Sequence, residues 1–138
     1  MSVHQINCCL ADCLEAKTHL IPCKIKQTCD AKVDQYFEPT VNHKEGDKEG
    51  DKEVLTSSFR GRPLQGRKIH LDNNCFGIVL TQNKSDFKVE KQFKQFTYWN
   101  WDKTPSTNDL VPQSLQWLRV ANAIHKPLTS ADINQVNN

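Results

Sequence analysis

The sequence is short of five things, and each shortage excludes something. Its six cysteines, Cys8, Cys9, Cys13, Cys23, Cys29 and Cys75, include no CxxC pair. Structural zinc sites favour that tight spacing. Zinc held by some of Cys8, Cys9, Cys13, His19, Cys23 and Cys29 is therefore the alternative to free thiols, not the first reading. No stretch approaches the roughly 18–20 apolar residues of a membrane span. The N-terminus lacks a basic region and its apolar run stops at Asp12, so no secretory leader is expected. Together these shortages predict an intracellular, reducing setting with free thiols and no membrane contact. Eighteen basic against sixteen acidic residues leave a net charge of +2, too near balance for a domain that binds phosphates over a broad face. Hydrophobic content is 37%, below the ~45–50% usual for soluble domains even allowing for glycine.

What is present points to a folded β protein. Six Phe, three Trp and two Tyr argue against wholesale disorder. At 138 residues the chain is one domain, or one domain with a mobile insert. Enough aromatics to fold, with few aliphatics, suggests a core completed by a partner. Residues 1–18 are weakly patterned and read as a loosely held arm. A single β-rich domain is expected over 19–127, and the polar residues 128–138 read as a tail. "HLIPCKIK" (19–26) alternates, with Pro22 marking an edge or a strand beginning. "AKVDQYF" (31–37) alternates again through Val33 and Phe37. "KEGDKEGDKE" (44–53) repeats charge and glycine with no apolar anchor, the pattern of a solvated loop. Strands are expected at Val54–Arg62 and Arg67–Leu71, around a turn at Pro63 and Gly66. "CFGIVL" (75–80) is a continuous apolar run, the mark of a strand covered on both faces. After a turn at "NKSD", the stretch "QFKQFTYWNW" (92–101) has Phe96 and Tyr98 on one face and Phe93, Trp99 and Trp101 on the other. Aromatics on both faces imply a central strand, or one whose second face meets a partner. An amphipathic helix follows near 113–126, with Leu115, Leu118, Ala121 and Ile124 in its stripe, Pro112 before it and Pro127 at its end.

"FRGRPLQGRKI" (59–69) holds four cations and two glycines in eleven residues. An Arg-Gly nucleic-acid tether would repeat its dipeptide; this stretch has it once, and a disordered arm has no use for Phe59, Leu64 and Ile69. It reads instead as a hairpin, with Arg60 and Arg62 side by side on the face opposite Phe59. That pair needs phosphate, carboxylate or water.

Taken in order, "HLIPC", "YFEP", "FRGRPLQG", "GIVL", "FTYWNWDKTPS" and "WLRVANAIH" resemble the accessory C subunit of eukaryotic ribonuclease H2, over most of residues 19–125. Gln65 departs from a position that is basic in some members. The resemblance implies a mainly β fold: a barrel-like domain interwoven with the B subunit as a triple-barrel heterodimer, with one C-terminal amphipathic helix. It also implies a nuclear protein without catalytic residues, cofactor or metal of its own. Mg2+ would belong to the catalytic A subunit docked on the pair, and nucleic acid would be met mainly through the complex. Candidate subunit-interface residues are Arg60, Arg62, Phe96, Tyr98, Trp99, Trp101 and Trp117. The alternative is a small barrel-type RNA- or single-strand-binding module that stacks bases on "FKVEKQFKQFTYWNW". An enzyme has least support, because His4, His19, His43, His70 and His125 are scattered and none pairs with a nucleophile in a recognisable context. Nor do Asp72, Asp102, Asp109 or the loop acids sit where strands would hold two metal ions between them.

Overall fold

A computed structural model describes residues 6–7, 13–44, 53–83 and 86–127. The chain divides into two compact units, Met1–Pro105 and Ser106–Asn138. The first unit carries the strands β1 (Ile6–Asn7), β2 (Leu14–Glu15), β3 (His19–Leu20), β4 (Asn42–Lys44), β5 (Val54–Phe59), β6 (Arg62–His70), β7 (Gly77–Asn83), β8 (Asp86–Phe93) and β9 (Gln95–Trp101). It also holds a short helix, α1 (Val33–Tyr36), which runs into a 3-10 turn at Glu38–Thr40. The second unit is built on the helix α2 (Leu110–His125). The fold is mainly β with a C-terminal helix, as expected.

The strands make two open sheets. In one, β8 pairs antiparallel with β7 on one edge, and on the other edge parallel with β1 and then β2. The other sheet runs β3-β9-β6-β5-β4. Here β9 is antiparallel to β6 and parallel to β3, with His19 opposite Thr97. Period-two alternation gives this sheet a buried face. Leu55, Gly66 and Trp99 lie in one cross-strand row, and Leu64 and Trp101 in the next. Leu55, Leu64, Trp99 and Phe37 form the core, with Ile21, Val41, Phe59 and Trp101 packed around it. A fully buried Leu or Trp is worth about 1.5–3 kcal/mol or more, so this small cluster is the main apolar contribution to the sheet.

Four expectations change. The stretch 31–37 is helical at α1, because the four-residue spacing of Val33 and Phe37 suits a helical turn as well as a strand. β3 stops at Leu20, and Cys23 N–H turns back to the Ile21 carbonyl at 2.7 Å. The hairpin turn falls at Arg60-Gly61, with φ 51 and 74, while Pro63 and Gly66 lie inside β6. Two consecutive residues at positive φ are what a two-residue type I′ hairpin demands. Pro63 is tolerated there because its carbonyl accepts from Asp102 N–H, placing its missing N–H just past the end of β9. Finally, α2 begins at Leu110, so Pro112 sits in its first turn, where an N–H has no helical partner to lose.

Candidate subunit interface

The hairpin tip carries the first candidate surface. Phe59 pairs directly with Arg62 across β5 and β6, so the two share a face. The expected arrangement, with Arg60 and Arg62 together opposite Phe59, is corrected: the turn takes Arg60 out of the strand. Each arginine instead lies over a ring. The Arg60 guanidinium is 5.5 Å from the Phe59 centroid, and that of Arg62 is 5.8 Å from the Trp101 ring. Trp101 Nε1–H donates to the Pro22 carbonyl at 2.8 Å, which ties the segment after Pro22 alongside the tip. Between them opens a cleft of about 670 Å³ whose walls include Lys24, Lys26, Arg60, Arg62, Phe59 and Trp101.

β9 separates the expected aromatic set by function. Trp99 is fully buried, and Thr97 beside it in the alternation is nearly so. The Trp99 Nε1–H donates to His19 Nδ1 at 3.1 Å, and His19 Nε2 lies 2.6 Å from Glu38 Oε1. An indole N–H only donates, so His19 Nδ1 carries no proton and its Nε2–H donates to Glu38. Phe37 meets both rings edge-on, at 5.1 Å from His19 and 5.6 Å from Trp99. Trp99 thus locks β3 to β9 from inside, and has no ring face to offer a base or a partner. Phe96 and Tyr98 lie on the opposite face, half-buried, across from Ile69 and Arg67. Arg67 Nε on that face is buried and has no hydrogen-bond partner among the described residues.

The β7–β8 pair is the third surface. Its Val89 is buried, but Ile78 and Leu80 are 37% and 41% exposed, and Phe76 just before β7 is 47% exposed. Among the described residues β7 pairs only with β8, so its other edge is open. The strand expected to be covered on both faces is covered on one among the described residues. In the second unit, α2 exposes Trp117 to 66% and Leu110 and Ile124 further still.

Among the described residues the histidines, thiols and acids form no centre of their own. His19 is committed to Trp99 and Glu38, and among the described residues Cys23, Cys29 and Cys75 are free thiols. Cys8, Cys9 and loop residues 45–52 lie outside the described residues. Among the described residues no three His, Cys, Asp or Glu side chains gather as a metal would need. No described helix is long and apolar enough to cross a membrane. Glu53 is the one acid whose carboxyl is clearly shifted among the described residues. It sits below the ordinary carboxylate value because His43 hydrogen-bonds it, with Lys68 adding a positive charge at 3.5 Å. Sequence reasoning missed Lys24, Lys26 and Arg67. Their alternation was visible, but not the bend after Pro22 that carries the lysines to the hairpin tip.

These surfaces define a class first: a mainly β chain whose described apolar faces and strand edge stand open to another macromolecule. Comparison with known proteins makes the assignment specific. The family described as "Ribonuclease H2 non-catalytic subunit (Ylr154p-like)" matches residues 17–90, more than half of the chain, and the chain belongs to that family. It is 28% identical to the C subunit of ribonuclease H2 from Mus musculus, over 80% of this chain and 81% of that protein. Against the C subunit of ribonuclease H2 from Bos taurus it is 24% identical, over 84% of each. The resemblance seen in the ordered motifs is thereby borne out.

Proposed function

We propose that the chain is the non-catalytic scaffolding subunit of a ribonuclease H2 complex. It interweaves with a B-type subunit in a barrel-like heterodimer, and the pair carries a catalytic A-type subunit that holds the Mg2+. The assembled complex cuts RNA in RNA–DNA hybrids and nicks beside single ribonucleotides in duplex DNA, working in the nucleus. Membership of a family named for its non-catalytic subunit supports this reading. The observation that carries it is the β7–β8 pair, with one open edge and with Ile78 and Leu80 exposed on its face. A strand added to that edge would satisfy its backbone groups and cover those side chains, removing an aggregation hazard. Phe96, Tyr98 and the buried Arg67 Nε, without a partner among the described residues, mark a second face for docking, and Trp117 a third.

Co-expression tests the reading. The chain should be insoluble or oligomeric alone, and soluble as a complex with a B-type subunit. Leu80→Lys, which puts a charge on the face to be covered, should reduce capture of the B-type subunit at least tenfold, since burying an unpaired charge costs several kcal/mol. A monodisperse, cooperatively melting monomer would overturn the scaffold reading and favour the single-strand-binding module.

A further inference from the structure

Four cations converge on the cleft beside the hairpin tip, and among the described residues none has a carboxylate within ion-pair distance. Lys24 and Lys26 arrive on the segment after Pro22, Arg60 on the turn between β5 and β6, and Arg62 at the start of β6. The charges therefore come from two pieces of chain far apart in sequence, brought together by the fold. Like charges held near one cleft repel, a cost that a counter-charge would remove. No Asp or Glu lines the cleft among the described residues. The two guanidiniums are also each paired with a ring, Arg60 at 5.5 Å from the Phe59 centroid and Arg62 at 5.8 Å from that of Trp101, so cation and aromatic surface stand together at the cleft. The Trp101 hydrogen bond to Pro22 anchors one of these rings.

We propose that this cleft binds the sugar–phosphate backbone of a nucleic-acid strand, so that the accessory chain touches nucleic acid directly. Lys24 and Lys26 meet phosphates as mobile point charges. Arg60 and Arg62 grip phosphate oxygens through their N–H edges, and their outer faces take a neighbouring base, as guanidinium planes do in single-strand recognition. An acidic protein segment would use the charges but leave the Phe59 and Trp101 rings beside them idle, which favours nucleic acid. Gln27 is the single amide side chain on the cleft wall among the described residues, too little to read base edges. Binding is therefore sequence-tolerant and salt-dependent. At about 670 Å³ the cleft suits nucleotide units of one strand rather than the width of a duplex.

The test uses the full chain co-purified with a B-type subunit, leaving out the catalytic subunit and its own substrate site. If the chain is soluble alone, the same measurement is made on it alone, so the assembly reading and this one fail separately. Anisotropy of labelled dT and rU oligonucleotides is followed from about 50 to 200 mM salt for the unaltered chain and for Lys24→Ala/Lys26→Ala. The double variant should bind roughly tenfold more weakly at low salt. Its log–log salt slope should be shallower by about 1.4, as expected when two phosphates of a single strand are no longer neutralised. Unchanged affinity and slope would overturn the proposal. So would unchanged oligonucleotide binding with weakened capture of the catalytic subunit, which would assign the cleft to a protein segment. A second measurement needs no variant: an oligonucleotide carrying 4-thiouridine, photo-crosslinked to the unaltered complex, should label the peptide with Lys24–Gln27 or the one with Trp101. Labels confined to other peptides would refute it.

Discussion

Gly66 faces the indole of Trp99 across the β6–β9 pair, and a Cβ built there would lie 2.6 Å from the ring. The ring is fully buried and held by His19, so it has nowhere to move. Gly66→Ala should therefore destabilise the fold by about 1–3 kcal/mol, the usual range for overpacking. At Gly61 the situation is reversed: nothing lies within 4 Å, but its φ is 74. Gly61→Ala should cost roughly 1 kcal/mol of backbone strain. Denaturant midpoints of the purified complex should rank the two in that order. A second residue-scale consequence concerns Glu53. Its carboxyl is held low first by the His43 hydrogen bond, so its contribution is present above the ordinary carboxylate value and fades as pH falls through the lowered one. An NMR titration should find Glu53 titrating below ordinary glutamates, and His43→Ala should bring it back toward them.

At the scale of elements, β4 and β5 pair antiparallel, with Lys44 opposite Val54, so the charged repeat closes a hairpin whose register is already set. Replacing residues 45–52 by a short Gly-Ser link should leave stability within about 1 kcal/mol, since closure entropy changes slowly with length. Thermal melts of the two forms, and recovery of soluble complex, check this. Loss of the complex would make the repeat a docking element. The elements legible in the sequence were β5, β9 and the second half of β6, while Pro63 and Gly66 gave the first half of β6 the signature of a turn. α2 was legible from its three-residue apolar recurrence, though Pro112 hid its first turn. The hairpin turn was not, because Arg60 adopts positive φ without an Asn or Gly signal, while Gly66 imitated a turn residue. Its glycine is required by the Trp99 ring, a packing constraint no local pattern reveals. Of the candidate interface, Phe96, Tyr98 and Trp117 could be read from aromatic placement. The burial of Trp99 could not, because it depends on Phe37 and His19, which arrive from distant segments.

For the whole molecule, exposed apolar side chains in both units fit a chain that works only as part of something larger. The purified chain should show no cleavage of an RNA–DNA hybrid, or of a duplex containing one ribonucleotide, with Mg2+ or Mn2+. Mixing A-type and B-type subunits with it should produce cleavage that disappears when this chain is omitted. Metal-dependent cutting by the chain alone, surviving repurification, would make it an enzyme. Its connectivity has a further consequence. His19 and the indole that holds it are 80 residues apart, and β1, β2 and β3 all pair with strands near the far end of the first unit. A ribosome adding about 5–20 residues per second takes roughly 4–16 s to cover that interval. Throughout it the leading segments have emerged without their neighbours, and the sheets cannot close. Vectorial synthesis thus holds the nascent chain open for seconds, an interval in which a second polypeptide can thread into it before it shuts.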